Sequence, residues 1–165
     1  MITVTTYITI AMIAPCTFYG AGDGYLGQHH AAWWAGQVPP GWPDVVDDAH
    51  LGVATADWTI PFGTHLRLTI VHLPKWAWNE YSGIIGRSVE VVVVDRMGRG
   101  EEGFDLWPAA ARKLMGPDWQ RIGKVYVRAE IVKRKNAEDE TGHSEAEARP
   151  KLQSLRYIAR IPEGT

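Results

Sequence analysis

Ser88-Val89-Glu90-Val91-Val92-Val93-Val94-Asp95-Arg96-Met97-Gly98-Arg99-Gly100 is the stretch on which the reading of this chain turns. Four consecutive valines, Val91 to Val94, are too apolar for a strand with one wet face. Such a run suits a strand covered on both sides. It stops at a carboxylate, Asp95, and a glycine-rich turn follows. A valine-lined strand end partly desolvates an acid, which is the setting a proton donor needs.

Outward from this strand, Ile2 to Ile10 mixes Thr, Val, Ile and Tyr and predicts a strand, and Ala14 to Tyr19 predicts a second that ends at Gly20. Val53 to Asp57 predicts a short strand and Ile60 to Thr64 a turn. His65 to His72 and Lys124 to Lys133 alternate as strands do. Pro108 to Leu114 predicts a short helix, with proline in its first turn and Gly116 as its stop. Residues 20–50 and Leu73 to Gly83 read as long loops rich in Gly, Pro and Trp. Residues 134–149 read as a solvated, charged linker, and Leu152 to Ile161 as a last strand or docking segment. No internal repeat stands out. Strands at short spacing with one late helix predict a mainly β domain, and closing it into a barrel removes hazardous edges.

Composition excludes several classes. The chain has 165 residues, 45% of them apolar, enough for one core. Its net charge of −2 offers no basic field for nucleic acid. No stretch approaches the roughly 20 apolar residues of a membrane span. Cys16 is the single cysteine, so no intramolecular disulfide forms. Met1 to Ala14 lacks the positive start of a secretory signal, so work outside a cell implies release by lysis or a leader elsewhere. Eight tryptophans mostly lie in the Gly- and Pro-rich stretches, which packing alone explains poorly.

Three aspartates stand beside strand-like runs and glycine turns: Asp57 in Ala56-Asp57-Trp58-Thr59-Ile60-Pro61-Phe62-Gly63-Thr64, Asp95, and Asp105 in Gly103-Phe104-Asp105-Leu106. Folding is expected to gather them at one mouth of a small barrel. With Cys16-Thr17-Phe18-Tyr19-Gly20, Val92-Val93-Val94-Asp95-Arg96 and Ala109-Ala110-Ala111-Arg112-Lys113-Leu114-Met115-Gly116, these segments occur in an order that resembles the double-psi β-barrel domain of rare lipoprotein A. The wider group holds expansins, barwin-like proteins, family 45 endoglucanases and the three-aspartate domain of membrane-bound lytic transglycosylase A.

The resemblance covers roughly residues 14–132. It implies a six-stranded double-psi barrel with one or two short helices, long aromatic loop insertions and a polysaccharide groove across one face. Residues 1–13 then form an N-terminal strand extension, and 133–165 a charged linker and C-terminal extension. The resemblance also implies, for some members, lytic cleavage of peptidoglycan glycan strands; no cofactor or metal is expected. Asp95 falls on the principal acid and Asp105 on the aspartate before the helix. Asp57 stands where rare lipoprotein A carries His and the three-aspartate domain carries Asp. Trp107 replaces a helix-capping Ser, and Arg96-Met97-Gly98 replaces the commoner Arg-Gly-Pro.

In such a site Asp95 protonates the leaving glycosidic oxygen, then takes a proton from the sugar's 6-hydroxyl. Asp57 and Asp105 tune or hold it. Tyr19, Trp58, Gly63, Thr64, Arg96, Trp76 and Trp78 are the candidate substrate contacts, with Trp33, Trp34 and Trp42 as further stacking platforms. Each has a plainer reading. Asp95 can pair with Arg96, Asp105 can serve the helix start, Asp57 can shape a turn, and the tryptophans can pack loops onto the barrel. His29, His30, His50, Asp47 and Asp48 lack metal-site spacing. Cys16 sits in an apolar strand and is not expected to act as a nucleophile. Two rival functions stand beside cleavage: a polysaccharide binder without catalysis, as expansins are, and a barrel subunit of a virion or extracellular assembly that adds edges through its terminal extensions. Family resemblance places the protein outside the cell or in its envelope.

Overall fold

The computed structural model describes residues 6–19 and 24–133. The expected charged linker and the Leu152 to Ile161 segment lie outside the described residues. Six strands close into a barrel: β1 (Thr6–Phe18), β2 (Gly52–Thr55), β3 (His65–His72), β4 (Ser88–Arg96), β5 (Phe104–Leu106) and β6 (Val125–Lys133). Around the barrel they run β1-β5-β2-β4-β3-β6. β1 pairs with β5 and β2 with β4 in parallel; the other four pairings are antiparallel.

This order hides a repeat. Exchanging β1 with β4, β2 with β5 and β3 with β6 maps the set of pairings onto itself. The two halves of the chain are thus topologically equivalent, each contributing one strand to each parallel pair. That crossed arrangement is the double-psi barrel the resemblance implies. No sequence repeat announced it, because pairing partners rather than residues are what recur.

The Ser88–Arg96 strand is covered on both sides, as its valines require. Val89, Val91 and Val93 join Leu66, Leu68, Phe104, Leu106 and Val127 in the cluster that fills the barrel. Val92 and Val94 join a second cluster on the outer side with Tyr19, Ala32, Val46, Ala54 and Trp107. Burying one valine side chain stabilises by about 1.5–3 kcal/mol. The second cluster explains why residues 24–50 fold down: without them the outer face of β4 would be bare.

Several expectations need correction. The two expected N-terminal strands are one 13-residue strand, β1, whose register with β6 shifts between Ile8 and Met12. The boundary expected between residues 13 and 14 therefore falls inside a barrel strand. β5 was not expected; three residues are too few to show a period. The insertion carries a four-residue helix, α1 (Ala31–Trp34). The second aromatic stretch is not a loop. It holds a 3-10 turn (Lys75–Ala77), α2 (Trp78–Tyr81) and another 3-10 turn (Ser82–Ile84). The expected helix is α3 (Pro108–Met115), closed by Gly116 at φ 89°. The short α4 (Trp119–Ile122) follows it unannounced.

Candidate functional site

The strand ladder sets the acids. Across β1, β5, β2 and β4 the register aligns Thr17 with Asp105, Asp105 with Ala54, and Ala54 with Asp95. Strict alternation from Val91 and Val93 would turn Asp95 into the apolar lumen. Instead the β2–β4 register slips one residue between the Val53–Val93 and Ala54–Asp95 pairs. Val94 is the extra residue, so Val94 and Asp95 both oppose Ala54. Such a bulge re-aims the side chain beyond it. Here it keeps a charge out of the core, where an unpaired carboxylate would be costly. The acids thus stand on the outer side of the barrel, not at its mouth.

Three donors converge on Asp95. Oδ2 accepts the Tyr19 hydroxyl at 2.8 Å, and Oδ1 accepts the Ala31 N–H at 2.9 Å and the Arg96 N–H at 2.8 Å. Hydrogen bonds to a charged group contribute roughly 1.5–3 kcal/mol each. Burial pushes the Tyr19 phenol far above its ordinary range, and the charge and hydrogen bond of Asp95 push it further. Tyr19 therefore keeps its proton and acts as a fixed donor. Asp105 accepts the Thr17 hydroxyl at 2.9 Å. Arg96 does not face the Asp95 carboxylate. It donates to the Ile60 carbonyl at 2.6 Å and lies 3.9 Å over the Phe62 ring. Burial lowers its basicity, an effect that the charges of Asp57 and Asp95 oppose.

A cleft of about 350 Å³ opens over this row. Asp95, Arg96 and Asp105 line it from the strands, Tyr19 from just past the end of β1, Met97, Gly98 and Glu101 from the turn after β4, and Tyr25, Gln28, His29, Ala31 and Trp34 from the insertion. Trp34 is 73% exposed and Tyr25 45%. Both are held by stacking: Tyr25 on Tyr19 at 4.9 Å and 21°, and Trp34 edge-on to Trp33 at 4.7 Å. Trp33 in turn stacks on His29 at 3.6 Å. Exposed rings pinned beside carboxylates can cover the C–H face of a sugar while the acids accept its hydroxyl protons.

Of the residues expected at the site, Asp95, Asp105, Tyr19, Arg96 and Trp34 meet in the cleft. The others do not line it. The Asp57 carboxylate accepts the N–H and hydroxyl of Thr59 at 2.9 and 2.7 Å, the plain turn-shaping role. Trp58 is exposed on that turn. Gly63 donates to the Val93 carbonyl and the Thr64 carbonyl accepts from Val93, so both fasten the turn to β4. Trp76 and Trp78 belong to the other end of the barrel, since they follow His72 at the end of β3, which runs antiparallel to β4. Trp42 packs against Trp107 and His50.

The remaining residues singled out in the sequence are engaged elsewhere. Buried His30 donates from Nε2 to the Pro43 carbonyl at 2.8 Å and caps α1 through Nδ1. His50 pairs with Asp47 at 2.7 Å and Asp48 with Arg112 at 2.8 Å. Among the described residues no group of three or more His, Cys, Asp or Glu is placed to hold a metal. Burial, and then the charge of Asp105, push the fully buried Cys16 thiol far above its ordinary range, which leaves no thiolate.

Sequence reasoning missed Tyr25, Gln28, Glu101 and the Ala31 N–H. Residues 24–50 have no period, so nothing in them marks which side chain lands over the acids. Alternation likewise gives the wrong face for Asp95, because a bulge leaves no residue-type signature in a run of valines.

No family model matches the chain, and no curated protein matches it. Among solved structures it is similar to cerato-platanin 3 from M. perniciosa, at 18% identity and a TM-score of 0.46, over 73% of this chain and 94% of that one. It is also similar to cerato-platanin 2 from M. perniciosa, at 19% identity and a TM-score of 0.47, over 74% of this chain and 95% of that one.

Proposed function

We propose that the outer cleft binds a polysaccharide, without cleaving it, and that the ligand is a glycan strand such as that of peptidoglycan. One observation carries this reading: exposed Trp34 and Tyr25 stand over Asp95 and Asp105 in a single sugar-sized cleft. Aromatic faces match the apolar faces of pyranoses, and carboxylates accept their hydroxyl protons. Asp95 supports binding over acid catalysis, because its three partners all act as donors and hold it as an acceptor. A peptidoglycan ligand would put the site of action at the cell envelope or outside the cell.

Lytic cleavage is the second reading, favoured by the presence of Asp95 and Asp105 in the same cleft. Asp95 would then be the acid/base and Asp105 its companion; Asp57, engaged with Thr59, takes no part. Incubation of the protein with peptide-stripped glycan strands separates the readings. Co-sedimentation without anhydro-sugar ends by mass spectrometry is the expected result. Anhydro ends from wild type but not from Asp95→Asn establish cleavage instead, and absence of both binding and product rejects the glycan reading.

A further inference from the structure

The cleft carries more carboxylates than cations. Among the described residues, Asp95, Asp105 and Glu101 bring carboxylates to it, against one cation, Arg96. Several of the donors nearby already have work. Tyr19 gives its proton to Asp95, and His29 gives its Nδ1 proton to the Asp44 carbonyl. Gln28 donates to the Gly24 carbonyl, and Arg96 donates to the carbonyls of Ile60 and Asp95. The Ala31 and Arg96 N–H groups are taken by Asp95. A ligand carboxylate or acetamide carbonyl entering this cleft would lose water and gain little in return. A ligand that brings protons would be matched.

Trp34 and Tyr25 add a second, independent feature. An exposed indole and phenol beside carboxylates form the surroundings in which an ammonium group is favoured, through the negative ring faces and through charge. We infer that the cleft prefers amino sugars whose nitrogen is a free ammonium over N-acetylated or carboxylate-bearing sugars. The inference rests on the polysaccharide reading and sharpens it by naming the substituent that decides affinity: along a glycan strand such as that of peptidoglycan, the cleft would select de-N-acetylated sugars over the acetylated and lactyl-bearing ones.

Calorimetric titration with the glucosamine hexamer and the N-acetylglucosamine hexamer, in one buffer, tests this. The free-amine hexamer is expected to bind about tenfold tighter or better. Trp34→Ala and Glu101→Gln should each reduce that preference to about threefold or less, a scale set by exposed cation–π pairs and single surface charges. Asp118→Asn, at the start of α4 and outside the cleft, should leave it unchanged. Equal or tighter binding of the acetylated hexamer overturns the inference and leaves the polysaccharide reading standing. A preference that ignores both cleft variants also overturns it, because attraction to the whole surface then explains it. Failure of both hexamers to bind overturns the polysaccharide reading itself.

Discussion

Two aromatic segments flank the barrel, and they differ instructively. Residues 24–50 set Trp34 and Tyr25 above a row of carboxylates. Residues 73–85 expose Trp76 and Trp78 at the other end, where Glu80 is already paired with Arg121 at 2.8 Å. Composition treats the segments alike, since each is rich in tryptophan. What separates them is the strand register beneath. One lies over the bulge that turns Asp95 outward; the other packs on His72 and Tyr81, with no carboxylate row below. An exposed tryptophan becomes part of a site only where the sheet supplies polar partners.

The largest expected effect comes from backbone proximity. Gly103 has φ 87°, and a Cβ there would fall inside the carbonyl oxygen of Pro15, since β1 and β5 approach through bare backbone. Gly103→Ala should destabilise the fold by roughly 3 kcal/mol and disturb Asp105 two residues on. Near the second segment, Gly83 meets nothing within 4 Å, so Gly83→Ala should be neutral or stabilising by up to about 1 kcal/mol. Chemical denaturation of both variants checks the contrast. Equal costs would mean that the cleft side is no more tightly built than the far end.

Next comes the ligand itself. Trp34→Ala should weaken glycan binding about tenfold, as loss of a stacking ring does, with stability changed by about 0.5 kcal/mol or less. Trp76→Ala should leave binding within about twofold. Affinity by calorimetry and stability by thermal melting separate the two effects. A loss at Trp76 as large as that at Trp34 would make both aromatic segments binding surfaces.

The cleft side also carries a dependence on alkaline pH. Tyr19 and Cys16 are held protonated in the fold above their ordinary values of 10.0 and 9.0. The unfolded chain loses those protons first, so this share of stability is complete below about pH 9 and falls as pH rises further. Tyr19→Phe should remove part of that alkaline loss while costing roughly 1.5–3 kcal/mol near neutral pH, from the missing donor to Asp95. Melting curves across the alkaline range, wild type against variant, read both signs. Identical alkaline slopes would remove Tyr19 from the account.

Much of the barrel was legible. The Val91–Val94 run announced a strand buried on both faces, the 65–72 and 124–133 alternations announced their strands, and Pro108 with Gly116 bracketed a helix. What escaped were features set by pairing rather than by residue type. The three-residue β5, the fusion of two expected strands into β1 and the chain's topological two-fold are of this kind. The site was half legible for the same reason. Asp95, Asp105, Tyr19 and Arg96 stand in the segments that carry the family resemblance. Asp57 looked equivalent in sequence but spends its carboxylate on Thr59. Tyr25 and Glu101 come from irregular chain, whose course only the tertiary packing decides.

The most direct test uses the indole N–H resonances of labelled protein during titration with glycan oligomers. The Trp34 indole signal should shift in proportion to saturation while those of Trp76, Trp78 and Trp58 stay still. Shifts at Trp76 or Trp78 with Trp34 unmoved would contradict the account, because the ligand would then sit where no carboxylate row supports it.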